Sequence, residues 1–153
     1  MTTIVPLVLD DIPALQHLAD GALGVGYLDC MQIDPKNCLV AHKDGVVAGF
    51  VCVEPQARTV SLKTIVVDPM LRRRGIGFAL ARAALRRHPD ARWTSPAWID
   101  GNRIPADTLL CSLGFRPRER ISNYWFKDSL RRGYSCPACG NPCHCAAMIY
   151  VRH

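Results

Sequence analysis

The sequence lacks the features of a membrane-spanning or exported chain. No uncharged apolar run approaches the roughly 18 residues that cross a bilayer, although 49% of the residues are hydrophobic. The first residues, Met1 to Gln16, show no basic stretch before a short apolar segment. These absences predict a cytoplasmic protein with no membrane partner. A length of 153 residues fits one globular domain, residues 1–153.

Aromatic residues are also scarce, at 7% of the chain, and they do not interleave with the basic residues as in single-strand nucleic-acid binders. The formal charge of +6 would attract polyanions. Many of the arginines, however, lie between positions 72 and 87, a segment with another explanation below. The composition therefore argues against nucleic acid as a partner.

The eight cysteines are not spread along the chain as in a disulfide-rich secreted domain. Cys30, Cys38, Cys52 and Cys111 are scattered singly, which is typical of buried reduced thiols. The other four lie within positions 136 to 145.

Hydrophobic periodicity predicts a mixed α/β fold in one domain. An Asp-Gly turn at positions 44 and 45 predicts an antiparallel hairpin. The predicted strands are Thr3 to Leu9, Cys38 to His42, Val46 to Glu54, Thr59 to Val67, Trp93 to Ile99, a long strand within Phe115 to Asp128, and Ala146 to Arg152. The predicted helices are Asp10 to about Leu23, Arg72 to His88 and Asn102 to Leu113, with one further helical turn within Tyr27 to Ile33.

The segment from Ile65 to Leu80 carries the clearest chemical signal. A strand leads through a basic, glycine-containing turn into a helix, so free backbone amides and the positive helix end converge on one spot that suits phosphate. A P-loop is excluded because Phe78 and Ala79 follow Gly77. A dinucleotide fingerprint is excluded by Leu80.

The pattern Arg-x-x-Gly-x-Gly at Arg72 to Gly77, after Val-Val-Asp-Pro, resembles that of the GCN5-related N-acetyltransferase (GNAT) family. The resemblance implies a mostly antiparallel central sheet flanked by helices, acetyl-CoA as cosubstrate and an amine acceptor. Strand residues would bond the pantetheine arm, amides from Arg73 to Phe78 would hold the pyrophosphate, and Asn102 would begin a second cofactor segment. The implied cofactor residues are Ile65, Val66, Val67, Arg72, Arg73, Arg74, Gly75, Ile76, Gly77, Phe78 and Asn102.

The chain departs from the family pattern in its acid and base. Leu110 stands where many members carry the tyrosine thought to protonate the thiolate, which leaves Tyr124 or Tyr150 as substitutes. Glu54 is the nearest candidate base, acting directly or through water. A backbone amide near Val66 or Val67 is the candidate oxyanion donor.

The segment from Cys136 to Cys145 begins with Cys-Pro-Ala-Cys-Gly, the form of a metal knuckle. The sequence predicts a four-sulfur metal site in this segment, formed by Cys136, Cys139, Cys143 and Cys145. Four thiolates favour structural Zn²⁺, with iron as the alternative metal. His144 as a replacement ligand and a thiol-exchange pair remain alternatives. The knuckle falls between the last two predicted strands and would tie together the hairpin beside the acceptor cleft.

The sequence thus predicts an acetyl-CoA-dependent N-acetyltransferase that acts on a primary amine by direct attack on the thioester. The alternatives are a non-catalytic zinc-containing nucleic-acid-binding protein and a coenzyme A sensor of the same fold. The acceptor's identity and the formation of a homodimer are left open by the sequence.

Overall fold

A seven-stranded sheet organises the protein in a computed structural model that describes residues 1–153. The strands are β1 (Thr2–Pro6), β2 (Cys38–Lys43), β3 (Val46–Pro55), β4 (Thr59–Val67), β5 (Arg92–Trp98), β6 (Arg116–Ile121) and β7 (Ala147–Arg152). Their spatial order is β1-β2-β3-β4-β5-β7-β6. All neighbours are antiparallel except β4 and β5, which are parallel.

Four helices cover the sheet: α1 (Ile12–Leu23), α2 (Ile76–Arg86), α3 (Asp107–Ser112) and α4 (Phe126–Arg132). The predicted α/β class, with a mostly antiparallel sheet and flanking helices, is therefore confirmed. None of these helices has the length and hydropathy that a membrane span requires.

The predicted β2–β3 hairpin is confirmed, and its turn explains it. Asp44 and Gly45 adopt φ values of 52° and 78°. Positive φ at both central positions matches the twist of the flanking strands, and Asp-Gly tolerates it at low cost. The turn residues therefore pair Lys43 with Val46 and His42 with Val47, and a bulge between Ala41 and His42 then shifts the register so that Cys38 faces Cys52.

Each face of the sheet buries its own apolar core. One core lies under α2 and α3 and includes Leu80, Leu110, Phe115 and Tyr150. The other lies under α1 and includes Leu15, Phe50 and Val66. Because side chains alternate along a strand, β4 contributes to both cores and separates the two faces of the molecule.

The two halves of the sheet meet only briefly. β4 and β5 pair backbone to backbone at Thr59 to Ser61, opposite Arg92 to Thr94. Beyond that point the Ser95 hydroxyl still donates to the Leu62 carbonyl, at 2.9 Å. From Lys63 to Val67, β4 has no partner on its β5 side, so a gap opens toward the carboxyl end of β4.

Three predicted boundaries are wrong. The helix predicted from Asn102 begins only at Asp107, and the helix predicted from Arg72 begins at Ile76 after a turn. The long strand predicted within Phe115 to Asp128 is a six-residue strand, β6, followed by a turn and α4. Tyr124 consequently lies in a turn and not on a strand.

Candidate active site and metal centre

The turn between β4 and α2 presents a continuous run of unbonded amides. Asp68 caps it by accepting from the amide of Met70 at 2.9 Å. None of the backbone amides from Arg72 to Phe78 donates a hydrogen bond within the protein, and the first bonded amide is that of Ala79, which donates to Gly75 at 3.0 Å. Buried or semi-buried amides normally find an acceptor. Such a run at a helix N-terminus is a ready anion site.

Backbone conformation and open space shape this turn. Arg73 and Gly75 adopt φ values of 63° and 80°, which turn successive amides toward one side. A side-chain carbon at Gly77 would meet only ordinary contacts with β4 and α3, the nearest at 3.6 Å from Val67. The packing of the protein therefore does not require glycine at position 77. Arg72 and Arg74 are exposed beside the turn.

The pairing of β3 with β4 determines which β4 groups face the gap. The amide of Asp68 donates to a carbonyl of β3 at 2.8 Å. Bonding directions alternate along an antiparallel strand, so the backbone groups of Val66 face β3, whereas those of Ile65 and Val67 face the gap. The Val67 carbonyl accepts from the Arg72 guanidinium at 3.3 Å, which agrees with this direction. Of the three predicted strand contacts, two are available to a ligand and the third belongs to the sheet.

Asn102 lies in an exposed turn before α3 and makes no hydrogen bond through its side chain. The turn is held by Asp100 and Arg103, whose backbones exchange hydrogen bonds of 2.8 and 3.0 Å. The Asn102 amide group is thus free to contact a ligand.

The candidate acids differ sharply in their surroundings. Tyr150 is fully buried, and its hydroxyl donates to Asp107. Burial, then this hydrogen bond, raises the pKa of Tyr150 above its ordinary value. Tyr124 is half-buried, its hydroxyl makes no hydrogen bond within the protein, and its amide donates to the Cys145 carbonyl at 3.1 Å. Leu110, at the family's tyrosine position, is 1% exposed in the core. Of the two tyrosines, Tyr124 is therefore the one whose hydroxyl has no partner within the protein.

The candidate base lies beside an irregularity in β4. The register of β3 and β4 shifts so that Lys63 has no opposite residue. Such a bulge leaves local backbone groups unpaired and turns the strand. The carboxylate of Glu54 is 3.7 Å from the Lys63 ammonium, and both side chains are about half exposed, at 55% and 41%. Glu54 therefore lies at the bulge, where β4 begins to separate from β5.

An aromatic cluster that sequence reasoning missed lies beside the end of α1. Tyr27, in the loop after α1, packs edge-on against Tyr134 at 4.9 Å between ring centroids. The guanidinium of Arg132 donates to the Tyr27 carbonyl and lies over both rings, at 5.6 and 5.2 Å. Burial raises the pKa of Tyr27, while a hydrogen bond with Trp125 and the charge of Lys63 oppose the rise. The cluster thus joins the β1–β4 half of the molecule to the β5–β7 half.

A carboxylate anchors this cluster. Asp128 accepts hydrogen bonds from Arg131 at 2.8 Å, Tyr134 at 2.9 Å and Arg132 at 3.1 Å. Burial opposes ionisation, but these donors outweigh it and hold the pKa of Asp128 below its ordinary value. The last turn of α4 is therefore fixed by charge-assisted hydrogen bonds.

The four clustered cysteines converge as predicted. Their sulfur atoms all lie within 4.8 Å of one another. Adjacent sulfurs are 3.5 to 3.7 Å apart. A tetrahedral ion with metal–sulfur bonds of about 2.3 Å requires sulfurs about 3.8 Å apart, whereas a disulfide requires about 2 Å. The geometry fits one ion and no disulfide. Cys136 and Gly140 exchange backbone hydrogen bonds of 2.9 Å in both directions, which forms the tight knuckle turn.

Backbone and indole groups surround these sulfurs. The His144 amide donates to the Cys139 sulfur at 3.3 Å. Burial raises the pKa of that thiol, but this amide and the neighbouring thiols outweigh it and lower the pKa overall. The indole nitrogen of Trp98 is buried without a hydrogen-bond partner. Its N–H lies close enough to the Cys145 thiol to offset part of the rise that burial gives the pKa of Cys145. A thiolate at Cys145 would accept from this unpartnered donor, as outer groups do at metal sites.

Known proteins share the fold described above. Ard1 from Thermoplasma volcanium superposes with a TM-score of 0.75 at 21% identity, covering 99% of this chain and 98% of the other. The ribosomal-protein-S18-alanine N-acetyltransferase from Escherichia coli gives 0.73 at 21% identity, covering 99% and 93%. Arabidopsis thaliana Naa50, in complex with the bisubstrate analogue CoA-Ac-MVNAL, gives 0.74 at 14% identity, covering 99% and 98%. No curated protein sequence matches the chain. The family model described as "Acetyltransferase (GNAT) family" matches residues 10–104, which is more than half of the chain. The strand, the amide turn and α2 all lie within that match, and the chain belongs to the acetyltransferase (GNAT) family.

Proposed function

We propose that this protein transfers an acetyl group from acetyl-CoA to a primary amine. The observation that carries the proposal is the run of unbonded amides from Arg72 to Phe78, at the end of a strand whose open edge is also unpaired. A diphosphate would satisfy those amides, and Arg72 and Arg74 would add charge around it.

The pantetheine arm of the cosubstrate would complete the edge of β4. The backbone groups of Ile65 and Val67 face the gap and would bond the arm, as an added strand does. The position of Gly77 opens toward β4 and α3, so the arm would enter from the α2–α3 face. Asn102, whose side chain is free, lies next to α3 and would contact the cosubstrate there.

The thioester would lie farther along β4 than the diphosphate, because the arm separates the two. This places the reacting carbonyl toward the bulge at Lys63. An amide near that bulge is a better oxyanion donor than those of Val66 or Val67, because Val66 faces β3 and Val67 adjoins the diphosphate turn. Glu54, at the same bulge, would take the proton of the amine directly or through water.

In the reaction, the uncharged amine attacks the thioester carbonyl and forms a carbon–nitrogen bond. The carbon–sulfur bond then breaks, the amine loses its proton to Glu54, and the thiolate of coenzyme A takes a proton from an acid. Tyr124 is that acid in this proposal, since its hydroxyl is free whereas Tyr150 is committed to Asp107.

Protein N-termini are the first acceptors to test. One similar structure carries the name of an enzyme that acetylates an alanine of a ribosomal protein, and another holds an analogue joining coenzyme A to a peptide. Tyr27 of the aromatic cluster and the neighbouring Trp125 are partly exposed and offer a peptide an amphipathic surface on the side opposite the cosubstrate.

We also propose that Cys136, Cys139, Cys143 and Cys145 hold a structural Zn²⁺. The sulfur spacing supports a tetrahedral ion, and four protein ligands leave no position open for substrate. Metal analysis of protein purified without added metal distinguishes zinc from iron and from an empty site. The unpaired Cys30, Cys38 and Cys52 support a reducing, cytoplasmic setting.

Binding and turnover test the enzymatic proposal together. Acetyl-CoA should raise the melting temperature, because a ligand that binds only the folded state stabilises it. Reversing charge in the Arg72→Glu, Arg74→Glu double variant should remove most of that rise. Release of free coenzyme A in the presence of a panel of peptides and small amines then measures transfer.

The same experiment separates the competing functions. Binding of acetyl-CoA without turnover on any amine indicates a coenzyme A sensor. Absence of any response to acetyl-CoA, together with salt-sensitive binding of nucleic acid, indicates a nucleic-acid-binding protein. Arg118→Glu, an exposed charge reversal on the edge strand β6, is the matched control and should leave the melting response intact.

A further inference from the structure

The knuckle contacts both α4 and the aromatic cluster. The side-chain amide of Asn141 donates to the carbonyl of Tyr134 at 2.7 Å and to the carbonyl of Ser129 at 2.8 Å. The amide of Cys143 donates to the hydroxyl of Ser129 at 2.9 Å, and Ser129 is fully buried. Asn141, which lies between two metal ligands, thus holds both the last turn of α4 and Tyr134 just beyond it.

The knuckle segment also lies directly against the end of α1. A side-chain carbon at Gly24 would be 2.0 Å from the carbonyl oxygen of Ser135, so only glycine fits. Three residues later Tyr27 packs on Tyr134. The loop after α1 therefore contacts the start of the knuckle through its backbone, and its aromatic ring packs on Tyr134, two residues before the knuckle.

The knuckle has little structure of its own. No strand or helix lies between Gly133 and Ala146, and a single bridge joins Cys136 to Gly140. A segment of this kind is ordered by its metal. The position of Asn141 consequently depends on the four sulfurs around it.

We propose that the metal knuckle, acting through Asn141, positions an acceptor wall formed by Tyr27 and Trp125, with the buried Tyr134 packed behind Tyr27. This inference rests on the proposed function, since it assigns the wall to the amine acceptor. The wall lies on the α1–α4 face, whereas the diphosphate turn lies at the start of α2. Asn141 is a positioning residue: it contacts Tyr134 behind the wall, and neither the cosubstrate nor the reacting atoms.

The test uses Asn141→Asp. The aspartate side chain has the same shape, but the amide group that donates to two carbonyls becomes a carboxylate oxygen that can only accept. We expect the KM for the best amine to rise about 10-fold or more, with metal content and the Kd for acetyl-CoA unchanged within about twofold. Hydrogen exchange of residues 24–33 should accelerate at least about 10-fold, whether or not an amine has been found. Asn37→Asp, in the short 3-10 turn immediately before β2 and without side-chain hydrogen bonds, is the matched control.

The outcomes are separable. Wild-type protein that turns over no amine refutes the proposed function, while the exchange measurement still decides whether Asn141 orders the loop. Unchanged exchange and unchanged KM in Asn141→Asp overturn the inference, as does equal weakening of acetyl-CoA binding. If Asn141→Asp loses its metal, Asn141→Ala decides by the same exchange and KM measurements, since it removes both donated hydrogen bonds and adds no charge near the sulfurs. Chelation of the wild type should accelerate the same exchange, and unchanged exchange in metal-free protein refutes the role of the metal.

Discussion

Substitution of Gly77 by alanine should make the protein more stable and a poorer binder of acetyl-CoA. Gly77 is the second residue of α2, and alanine is favoured over glycine in helices by up to about 1 kcal/mol. The new methyl group would meet only ordinary contacts, at 3.6 Å from Val67, 3.9 Å from Leu109 and 4.0 Å from Ile65. The free energy of unfolding should therefore rise by about 0.5 to 1 kcal/mol.

The same methyl group projects into the space between β4 and α3 that the cosubstrate would use. Loss of one charge-assisted hydrogen bond costs about 1.5 to 3 kcal/mol. At 1.4 kcal/mol for each factor of ten, the Kd for acetyl-CoA should rise about 10- to 100-fold. Calorimetric titration measures the Kd, and urea denaturation without ligand measures the stability.

Gly21→Ala is the matched control for this prediction. Gly21 lies inside α1, and nothing lies within 4 Å of an added side-chain carbon. It should stabilise the protein by a similar amount and leave the Kd unchanged. Wild-type affinity in Gly77→Ala would refute the assignment of these amides to the diphosphate.

Further predictions concern the acid, a charge and the core thiols. Tyr124→Phe should lower kcat about 100-fold or more with an unchanged Kd for acetyl-CoA. Tyr150→Phe, by contrast, should mainly lower the melting temperature. Equal kcat values in Tyr124→Phe and the wild type would exclude Tyr124 as the acid. The pKa of Asp128 is lowered in the folded state from its ordinary value of 3.8. The stabilisation that its hydrogen bonds give is therefore present above that value and is lost as the pH falls through the lowered pKa. Acid titrations of unfolding should thus show a smaller decline below about pH 4 in Asp128→Asn than in wild type, and identical declines would contradict the assigned hydrogen bonds. Burial raises the pKa of Cys30 to about 11, so alkylation at pH 8 should reach Cys30 and Cys52 only in denaturant, as mass spectrometry of digests can show.

Local turn chemistry made the first half of the fold predictable. Asp44 and Gly45 specify a tight hairpin, and the strand predicted at Thr59 to Val67 has those bounds in the structure. The amide turn was predictable for the same reason, since its glycines and arginines are neighbours in sequence. The knuckle ligands were also local, four cysteines within ten positions, and the structure brings their sulfurs together.

The last third of the chain was less predictable. Aromatic and β-branched residues favoured one long strand, but the chain turns after Ile121 and forms α4. A signal was present: Arg131 and Arg132 precede Gly133, which has a φ of 76°, and basic residues followed by glycine are typical of a helix end. Tertiary burial of Ser129 and the bonds to Asn141 hold a helix that is too short to be stable alone.

The aromatic cluster could not have been inferred from local pattern. Tyr27 and Tyr134 are separated by most of the chain, and only the folded sheet brings them together. Leu110 shows the opposite case, where the family resemblance of the sequence implies a leucine at the position of a tyrosine. The structure adds that this leucine is 1% exposed, so Leu110→Tyr would overpack the core and would not restore an acid.

The brief parallel contact between β4 and β5 leaves a seam in the architecture. The two half-sheets share backbone bonds only around Thr59 to Ser61, and beyond them the Ser95–Leu62 hydrogen bond and the aromatic cluster join the halves. Acetyl-CoA bound along Ile65 and Val67, as proposed, would lengthen the seam, and the two halves should then unfold more cooperatively. Proteases should accordingly cleave the protein more slowly when acetyl-CoA is present.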